Sequence, residues 1–590
     1  MLRRRYQLLV LAAIVLAAYY PAVLADFSKI DDAQLAESYR EINNWTWWDE
    51  FIPFSGSGLY YRPLIGLSFL IDKYVLDLLP GLMHLENILF HLLNTALVYF
   101  LTFHVIPQRT RAGSFLPLLA ASLFGLHPIN TESVNWISGR TDLLAGSFLL
   151  MSALFLLKYK ELNGKGYRIA SLITFLAGLL TKETAIAFLP GAFLIISANN
   201  NEEEPASAVK GEMQGKILRH DIKLLLGGMA VVLLFIALRS LAFSSNATRI
   251  GMTLRFLSAD WQEAIFVPLK ALSFYLKKLI IPYPLNFAIM EVDPLYELLA
   301  VPCAVLCIYI ASRRSLLAAL YTTGIFLITP AFLLAFGQIA WTPYAERYLY
   351  IPSAFIIISI VAFLPKWATE HHLAWKRIMI LMLLGIMFAS TLSRSLVWQN
   401  DLNLCKDTID KSPQAKSIRL VYSGLLAERG EYAAALDQLE KGRAIPFLAY
   451  DERFDLNTAH IYFKQGRLED AISISELALE RTGNKSIRAL GYLIDLLEIK
   501  KQRSINSSEI NLLKRRIFAY NSALYKLNHD PHVLYDLGIA ADMLGEHARA
   551  ARLFRQARNN LSDQDLFKLK AQLEFQRIEK RIHHDHTDNF

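Results

Sequence analysis

The sequence predicts an all-α protein, in which a polytopic membrane domain of about eleven helices (residues 1–397) precedes a helical-repeat domain (residues 398–590). Two observations lead to this prediction. Apolar runs of about 15–22 residues recur before residue 397, and a run of that length can cross a ~30 Å hydrocarbon core. After residue 415 such runs stop, the chain becomes more charged, and a pattern of small residues repeats with a period in the mid-thirties.

Composition limits the classes of protein that the chain can be. Hydrophobic residues make up 54% of the 590 residues, against roughly 45–50% in soluble proteins. The net charge of +8 does not indicate nucleic-acid binding, because most basic residues of the membrane half fall in short loops on one predicted side of the membrane. The three cysteines, Cys303, Cys307 and Cys405, lack the spacing of a disulfide framework or a zinc site.

Basic residues predict the orientation of the membrane helices. Arg3 to Arg5 precede an apolar stretch, 6–24, that lacks a good signal-peptidase site, so we predict an uncleaved first helix with a cytoplasmic N-terminus. Ten further helices are expected near 85–106, 115–128, 141–157, 168–181, 184–198, 224–242, 297–312, 316–337, 349–364 and 376–394. Every inner loop is then basic, and the odd number of spans places the repeats outside the cytoplasm.

One further apolar stretch decides whether that orientation holds. Residues 264–281 carry Lys277 and Lys278, and we interpret the stretch as an interfacial helix within the large outer segment 243–296. If the stretch crossed the membrane alone, the repeats would lie on the cytoplasmic side.

Small residues recur at one spacing in three segments after residue 415. In each segment a glycine is followed five residues later by an alanine, as in Gly430 and Ala435, Gly466 and Ala471, and Gly545 and Ala550. Glycine tolerates the turn between two helices, and small side chains let the helices of a hairpin approach closely. The pattern predicts a tetratricopeptide-repeat α-solenoid with a degenerate fourth repeat at about 488–527, a type of domain that binds peptides or proteins.

Ionisable residues collect where the predicted helices reach the outer face. Such groups are unfavourable near lipid and usually face a cavity. They come from five separate turns and the second helix: Asp31, Asp32, Arg62, His84, Glu132, Arg140, Lys182, Glu183, Glu346 and Arg347. Acids and bases that converge from several turns are typical of a site assembled between helices.

Each of these groups also has a purely structural interpretation. Asp31 and Asp32 could cap a juxtamembrane helix. The polar residues His84, Asn87, His91 and Asn94 share one helical face and could hold helices together. Local ion pairs are a third interpretation, namely Arg140 with Asp142, Lys182 with Glu183, and Glu346 with Arg347.

The set of residues suits transfer of a group from a lipid-linked phosphate. A carboxylate can accept the proton of an attacking hydroxyl, cations can neutralise a phosphate leaving group, and apolar helices can hold a polyprenyl chain. The sequence lacks the nucleophile elbow of a serine hydrolase and the glycine-rich loop that cradles nucleotide phosphates.

Five strings of residues resemble a known family. The strings YYRPLIGLSFLID, HLENILFHLLN, LFGLHPINTESVNWISGRTDLL, LLTKETA and AERYLYIPSAF are similar to the transmembrane and tetratricopeptide repeat-containing proteins. These are protein O-mannosyltransferases of the C-type glycosyltransferase superfamily, which also has bacterial relatives. The resemblance covers nearly the whole chain and includes the order of its two domains.

The resemblance implies a polyprenyl-phosphate-linked sugar donor, inversion at the anomeric carbon, and chemistry without a metal or cofactor. It also implies an acidic base in the first outer loop, which here is Asp31 or Asp32, with a slight preference for Asp32. The short chain and few repeats resemble bacterial members, so we expect an undecaprenyl-linked donor, a periplasmic repeat domain, and a protein acceptor recruited by the repeats.

The other outer-face residues take candidate roles under the same resemblance. Arg62, Lys182 and Arg347 become candidate phosphate ligands, and Glu132 and Glu183 candidate site carboxylates. Two other functions stay open at this point. The chain could be a non-catalytic membrane scaffold for envelope assembly, or an oligosaccharide ligase that moves whole glycans.

Overall fold

The computed structural model describes residues 2–42, 47–51, 60–106, 115–198, 212–242, 261–313, 315–337, 342–364, 373–446, 450–562 and 565–587. The chain divides into two compact units, Met1–Ile418 and Arg419–Phe590. The described residues form helices and no β-strand, apart from an isolated antiparallel bridge between Ile289 and Tyr344. The predicted all-α class is confirmed.

Short helices and membrane-length helices alternate through the first half of the first unit. They are α1 (Leu2–Val23), α2 (Asp32–Glu41), α3 (Trp47–Phe51), α4 (Pro63–Val75), α5 (Pro80–Val105), α6 (Leu116–Gly125), α7 (Thr131–Asn135), α8 (Arg140–Leu162), α9 (Lys165–Thr181) and α10 (Phe188–Ser197).

The described residues in the second half of the first unit form seven further helices. They are α11 (Glu212–Ala242), α12 (Trp261–Ile280), α13 (Leu295–Ala311), α14 (Leu316–Gly337), α15 (Tyr350–Phe363), α16 (Leu373–Trp398) and α17 (Asp401–Lys411). All eleven helices predicted for the membrane domain are present as helices. The basic loop at 107–114, most of the inner loop at 199–223, and residues 243–260 of the outer segment lie outside the described residues.

Seven stretches of the described residues are long and apolar enough to cross a membrane. They are Tyr6–Val23, Pro80–Val105, Ile137–Leu162, Ile222–Ala242, Leu316–Phe336, Glu346–Phe363 and Trp375–Trp398. Three shorter apolar helices, Leu116–Gly125, Glu183–Ser197 and Leu295–Ala311, accompany them. The chain is a multi-pass membrane protein. Helix α12, which contains the stretch interpreted as interfacial, is not among the seven.

Four short 3₁₀ segments position the charged residues of the first unit. They are Pro128–Asn130, Ile137–Gly139, Glu183–Ala187 and Glu346–Leu349, and each is followed directly by the next helix. Pro128 begins the first of them, at a position where the N–H group would have no partner within the helix. The Asn130 side chain at the end of this segment donates to the Phe124 carbonyl at 2.9 Å. Such tight turns hold their polar side chains against the ends of several helices at once.

The second unit is a series of helical hairpins. Its helices are α18 (Lys416–Glu428), α19 (Tyr432–Ala444), α20 (Arg453–Lys464), α21 (Leu468–Arg481), α22 (Ile487–Arg503), α23 (Ser507–Asn528), α24 (Pro531–Met543), α25 (His547–Asn560) and α26 (Leu566–Thr587). The pair α22 and α23 occupies the stretch predicted as a degenerate repeat.

Three glycines form the turns that the repeat pattern predicts. Gly430, Gly466 and Gly545 adopt φ values of +78°, +79° and +79° at the turns between paired helices, a conformation that residues with a Cβ adopt at a cost. Gly538 serves a different purpose, because a Cβ at this position would lie 2.8 Å from the ring of Phe554. Close contact between α24 and α25 therefore depends on a residue without a side chain.

Candidate active site

The adjacent residues Asp31 and Asp32, at the start of α2, have different surroundings. Asp32 is fully buried, and its carboxylate accepts hydrogen bonds from the backbone N–H of Ser138 at 3.0 Å, the Ser138 hydroxyl at 2.6 Å and the Ile137 N–H at 3.3 Å. Burial raises the pKa of Asp32 to about 7, although these hydrogen bonds favour the charged form. The side chain of Asp32 thus ties the first outer loop to the turn before α8.

Asp31 points away from that anchor. Its side chain is exposed and makes no capping hydrogen bond to α2. Partial desolvation by the surrounding protein raises the pKa of Asp31, and the positive charge of Arg347 opposes this effect. Within the described part of the chain Asp31 is therefore an open carboxylate in the field of an arginine that lies more than 300 residues later in the sequence.

Arg347 is held by a buried carboxylate and two aromatic rings. Its guanidinium forms an ion pair with Glu132, and its backbone N–H donates to the second oxygen of Glu132 at 3.0 Å. The guanidinium carbon lies 5.4 Å from the centre of the Trp136 ring and 4.9 Å from that of Tyr348. Cation–π contacts of this kind favour the charged group where water is scarce.

Two further cations are paired in the same region. Lys182 donates to Asp142 at 2.6 Å, and Arg62 forms two parallel hydrogen bonds to Glu183 at 2.9 and 3.0 Å. Burial lowers the pKa of Lys182, and the positive charges of Arg62 and Arg347 lower it further, against the opposing effect of Asp142. Lys182 therefore lies in the electrostatic field of both arginines.

Polar atoms at this site are left without partners. One oxygen of Asp142 and the indole N–H of Trp136 are buried and make no hydrogen bond within the described part of the chain. Unpaired buried polar atoms are rare in folded proteins and often mark a place where water or a ligand binds.

A pocket beside this cluster has one polar end and an apolar wall. Asp142, Lys182 and Tyr348 form the polar end, and Leu327 and Leu334 of α14 contribute to the apolar wall. A molecule with a charged head and a hydrocarbon tail matches such a pocket.

The local ion pairs considered from the sequence do not form, because neighbouring side chains along a chain diverge. Arg140 is fully buried and binds Asp72 at 2.5 Å and Glu86 at 2.9 Å instead of Asp142. Glu346 does not bind Arg347. It accepts from Lys278 at 2.7 Å and from the backbone N–H of Asn286 at 2.9 Å.

The polar face of α5 is mainly used for packing. Asn87 donates to the Trp136 carbonyl at 2.8 Å, and His91 binds the Tyr350 hydroxyl at 2.8 Å. Asn94 donates to the Leu143 carbonyl at 2.8 Å. These bonds join α5 to α8 and α15, as the packing interpretation expected. His84 lies buried on the same face, beside the first outer loop.

Comparison with known proteins finds a repeat model and several relatives. A tetratricopeptide-repeat model matches residues 531–556. The human protein O-mannosyl-transferase TMTC2 is 33% identical over 169 residues, which are 27% of this chain and 20% of the human protein. These relatives are protein O-mannosyl-transferases. The resemblance inferred from the five sequence strings is confirmed.

Other O-mannosyl-transferases match different lengths of the chain. Tmtc2 of Drosophila melanogaster is 38% identical over 24% of this chain and 15% of its own length. Human TMTC4 is 25% identical over 69% of this chain and 60% of its own length. The aligned part of the chain spans about a fifth of the TMTC2 relatives, 20% in mouse and human and 19% in Xenopus laevis.

Three residues near this site were not found by reading the sequence. Asp72, the partner of Arg140, is an acid inside an apolar stretch, and that signal could have identified it. Lys278 was considered only as part of an interfacial helix. Asp401 gave no signal, because its contacts lie more than 370 residues away in the sequence. Among the described residues no group of three or more His, Cys, Asp or Glu side chains is arranged to hold a metal ion.

Proposed function

We propose that this chain is a membrane glycosyltransferase, which transfers a mannose-like sugar from a polyprenyl phosphate to a hydroxyl of a protein. The names of the relatives support transfer of mannose to protein. The observation that carries the proposal is the exposed carboxylate of Asp31, which lies in the electrostatic field of Arg347.

Asp31 is the proposed general base, rather than Asp32, which the sequence slightly favoured. A base must reach the proton of the incoming hydroxyl. All the hydrogen bonds of the Asp32 carboxylate go to the turn before α8, whereas the Asp31 side chain is exposed. Arg347 helps to keep Asp31 ionised, because a positive charge favours the carboxylate form.

Arg62, Lys182 and Arg347 are the proposed phosphate ligands. Each already has one carboxylate partner, and arginine and lysine have several N–H groups with which to bind a phosphate as well. Their mutual repulsion is relieved when an anion binds among them, and the same interaction strengthens as negative charge develops on the leaving group.

The pocket beside Lys182 supports a lipid-linked donor. Its polar end would hold the phosphate, and its apolar wall on α14 the first isoprene units. A nucleotide-linked donor offers no hydrocarbon to match that wall.

The proposed reaction is a single displacement with inversion. The acceptor oxygen attacks the anomeric carbon and its proton passes to Asp31, while the bond between that carbon and the phosphate oxygen breaks. The electron pair of the broken bond leaves on polyprenyl phosphate, whose charge the three cations stabilise.

We place the reaction at the outer face of a bacterial inner membrane. The basic residues at the N-terminus support a cytoplasmic start, which puts Asp31 and the repeats in the periplasm. The repeats would recruit the protein acceptor, since domains of this type bind peptides and proteins.

The test is transfer of radiolabelled mannose from undecaprenyl phosphate to protein in purified membranes. Asp31→Asn keeps the size of the side chain and removes its basicity, so turnover should fall by roughly 10²–10⁴ with little change in donor affinity. Asp32→Asn should mainly lower thermal stability and keep most of the turnover per folded molecule. Asp26→Asn, an exposed aspartate of the same loop, is the matched control and should behave as the parent.

Two results would count against the proposal. Parent-like turnover of Asp31→Asn would place the base elsewhere, with Glu132 as the next carboxylate to test. Failure of the parent chain to transfer any sugar from several undecaprenyl-phosphate donors would favour the scaffold function. Transfer of a preassembled oligosaccharide would favour the ligase.

A further inference from the structure

Helix α17 is the last helix of the first unit, and its first residue holds the first outer loop. The Asp401 carboxylate accepts from the Ser28 hydroxyl at 2.9 Å and from the Lys29 N–H at 2.6 Å. Ser28 in turn holds the next residues of the loop. Its hydroxyl accepts from the Ile30 N–H at 3.3 Å, and its carbonyl accepts from the Ala33 N–H at 3.0 Å. Asp31 lies between Ile30 and Ala33, the two residues that are hydrogen-bonded to Ser28.

The other end of α17 holds the segment that contacts the Arg347 turn. Lys411 donates to the Leu285 carbonyl at 2.8 Å. The Asn286 side chain donates to the Ser412 hydroxyl at 2.8 Å, and its backbone N–H to Glu346 at 2.9 Å. Glu346 immediately precedes Arg347. One short helix is therefore bonded to the loop of Asp31 and, through Asn286, to the turn of Arg347.

The hydrogen bond of Asp401 with Ser28 is partly buried, whereas that with the Lys29 N–H is exposed. Ser28 is buried, and the pKa of Asp401 is raised by burial and lowered by its bonds to Lys29 and Ser28. A carboxylate that gives up part of its hydration here is retained only where its hydrogen bonds compensate. Asn400 caps α17 by accepting from the Leu402 N–H at 2.9 Å, so Asp401 is not needed for that purpose.

We propose that Asp401 is a positioning residue, which holds the Asp31 loop so that the Asp31 carboxylate faces the Arg347 cluster. This inference rests on the proposed function, in which Asp31 is the base. Asp32 holds the other side of the loop against the turn before α8, so Asp401 and Asp32 together fix the backbone on both sides of Asp31. A displacement of about 1 Å at a reacting group can lower a rate by up to 10².

The catalytic test uses Asp401→Asn, with Asp410→Asn as the matched control. Asp410 lies on the same helix, is exposed, and makes no side-chain hydrogen bond within the described part of the chain. Asp401→Asn should lower kcat for sugar transfer by about tenfold or more, with the donor KM changed less than about twofold. Ser28→Ala, which removes one of the two bonds, should give a smaller loss, and Asp410→Asn none.

A double variant separates positioning from general damage. If Asp401 acts through Asp31, adding Asp401→Asn to Asp31→Asn should leave kcat within about twofold of the Asp31→Asn value, because residues that act as a unit are not additive. A further tenfold fall in the double variant, or parent-like kcat in Asp401→Asn alone, would overturn the inference.

Trypsin cleavage after Lys29 tests the tether without any enzymatic assay. Loss of the Asp401 bonds should free the loop, so the Asp401→Asn protein in detergent should release the fragment ending at Lys29 several times faster than the parent and Asp410→Asn. Equal cleavage rates would contradict the tether itself. Faster cleavage of Asp401→Asn would support the tether. If Asp31→Asn also transferred sugar at the parent rate, the tether would stand but Asp31 would not be the base.

Discussion

The ion pairs of the two units differ in how deeply their side chains are buried. In the first unit the paired side chains of Arg140 and Asp72 are both 0% exposed, and the pair of Lys278 and Glu346 is nearly as enclosed. In the second unit the pair of Lys441 and Asp437 is 56% and 50% exposed. Among the described residues, pairs in which both side chains are enclosed occur in the first unit, which also has surface pairs such as Arg40 with Glu37. The pairs of the repeats have at least one largely exposed partner in most cases.

The difference follows from what holds each unit together. Repeats are stabilised by the contact of each hairpin with its neighbours, and here small residues and aromatic rings such as Gly538 and Phe554 supply that contact. Buried ion pairs are seldom the most stable choice for a core, because desolvation of the charges offsets their attraction. The buried pairs of Lys182 with Asp142 and of Arg347 with Glu132 belong to the proposed site, and under that proposal their charges serve binding rather than stability.

Removal of a buried cation should have the largest effect on stability. Arg140→Gln would leave Asp72 buried without its charged partner, and breaking such a pair typically costs about 3–5 kcal/mol. We expect a large fall in the midpoint of thermal unfolding in detergent and a low yield of folded protein. A melting curve close to that of the parent would show that Arg140 is not a structural cation and would return it to the candidate site residues.

Removal of Arg347 should shift the pH dependence of kcat/KM. The positive charge of Arg347 lowers the pKa of Asp31, so Arg347→Gln should raise it. The base is active when ionised, and activity is lost as the pH falls through its pKa. The acid limb of kcat/KM should therefore move to higher pH.

Arg62→Gln is the matched control for that shift, since Arg62 pairs with Glu183 and is not among the charges that act most strongly on Asp31. Its acid limb should stay close to that of the parent, while the donor KM rises. Equal displacement of the limb in both variants would mean that the cluster acts on Asp31 as one charge.

Removal of an exposed charge from the repeats should have the smallest effect. Lys441→Ala breaks a surface pair four residues apart on α19, and pairs of this kind contribute about 0–1 kcal/mol. The midpoint of thermal unfolding should stay within a few degrees of the parent value. A loss as large as that of Arg140→Gln would remove the contrast between the two units.

Local patterns in the sequence were sufficient for the helices and the repeats. Apolar runs of spanning length and the recurring pair of glycine and alanine act within a few tens of residues, so they can be read without knowledge of the fold. The resemblance strings likewise pointed to the right relatives, because each string is a contiguous stretch of the sequence.

The partners of each charge were decided by tertiary structure alone. Asp31 and Asp32 are identical side chains at adjacent positions. Hydrogen bonds from Ile137 and Ser138, 105 and 106 residues away in the sequence, make Asp32 an anchor, while Asp31 stays exposed. The pairs that looked plausible along the chain, such as Glu346 with Arg347, were wrong. A buried charge bonds to the groups that the fold brings beside it. These groups come from turns far apart in the sequence, so a local sequence pattern cannot identify them.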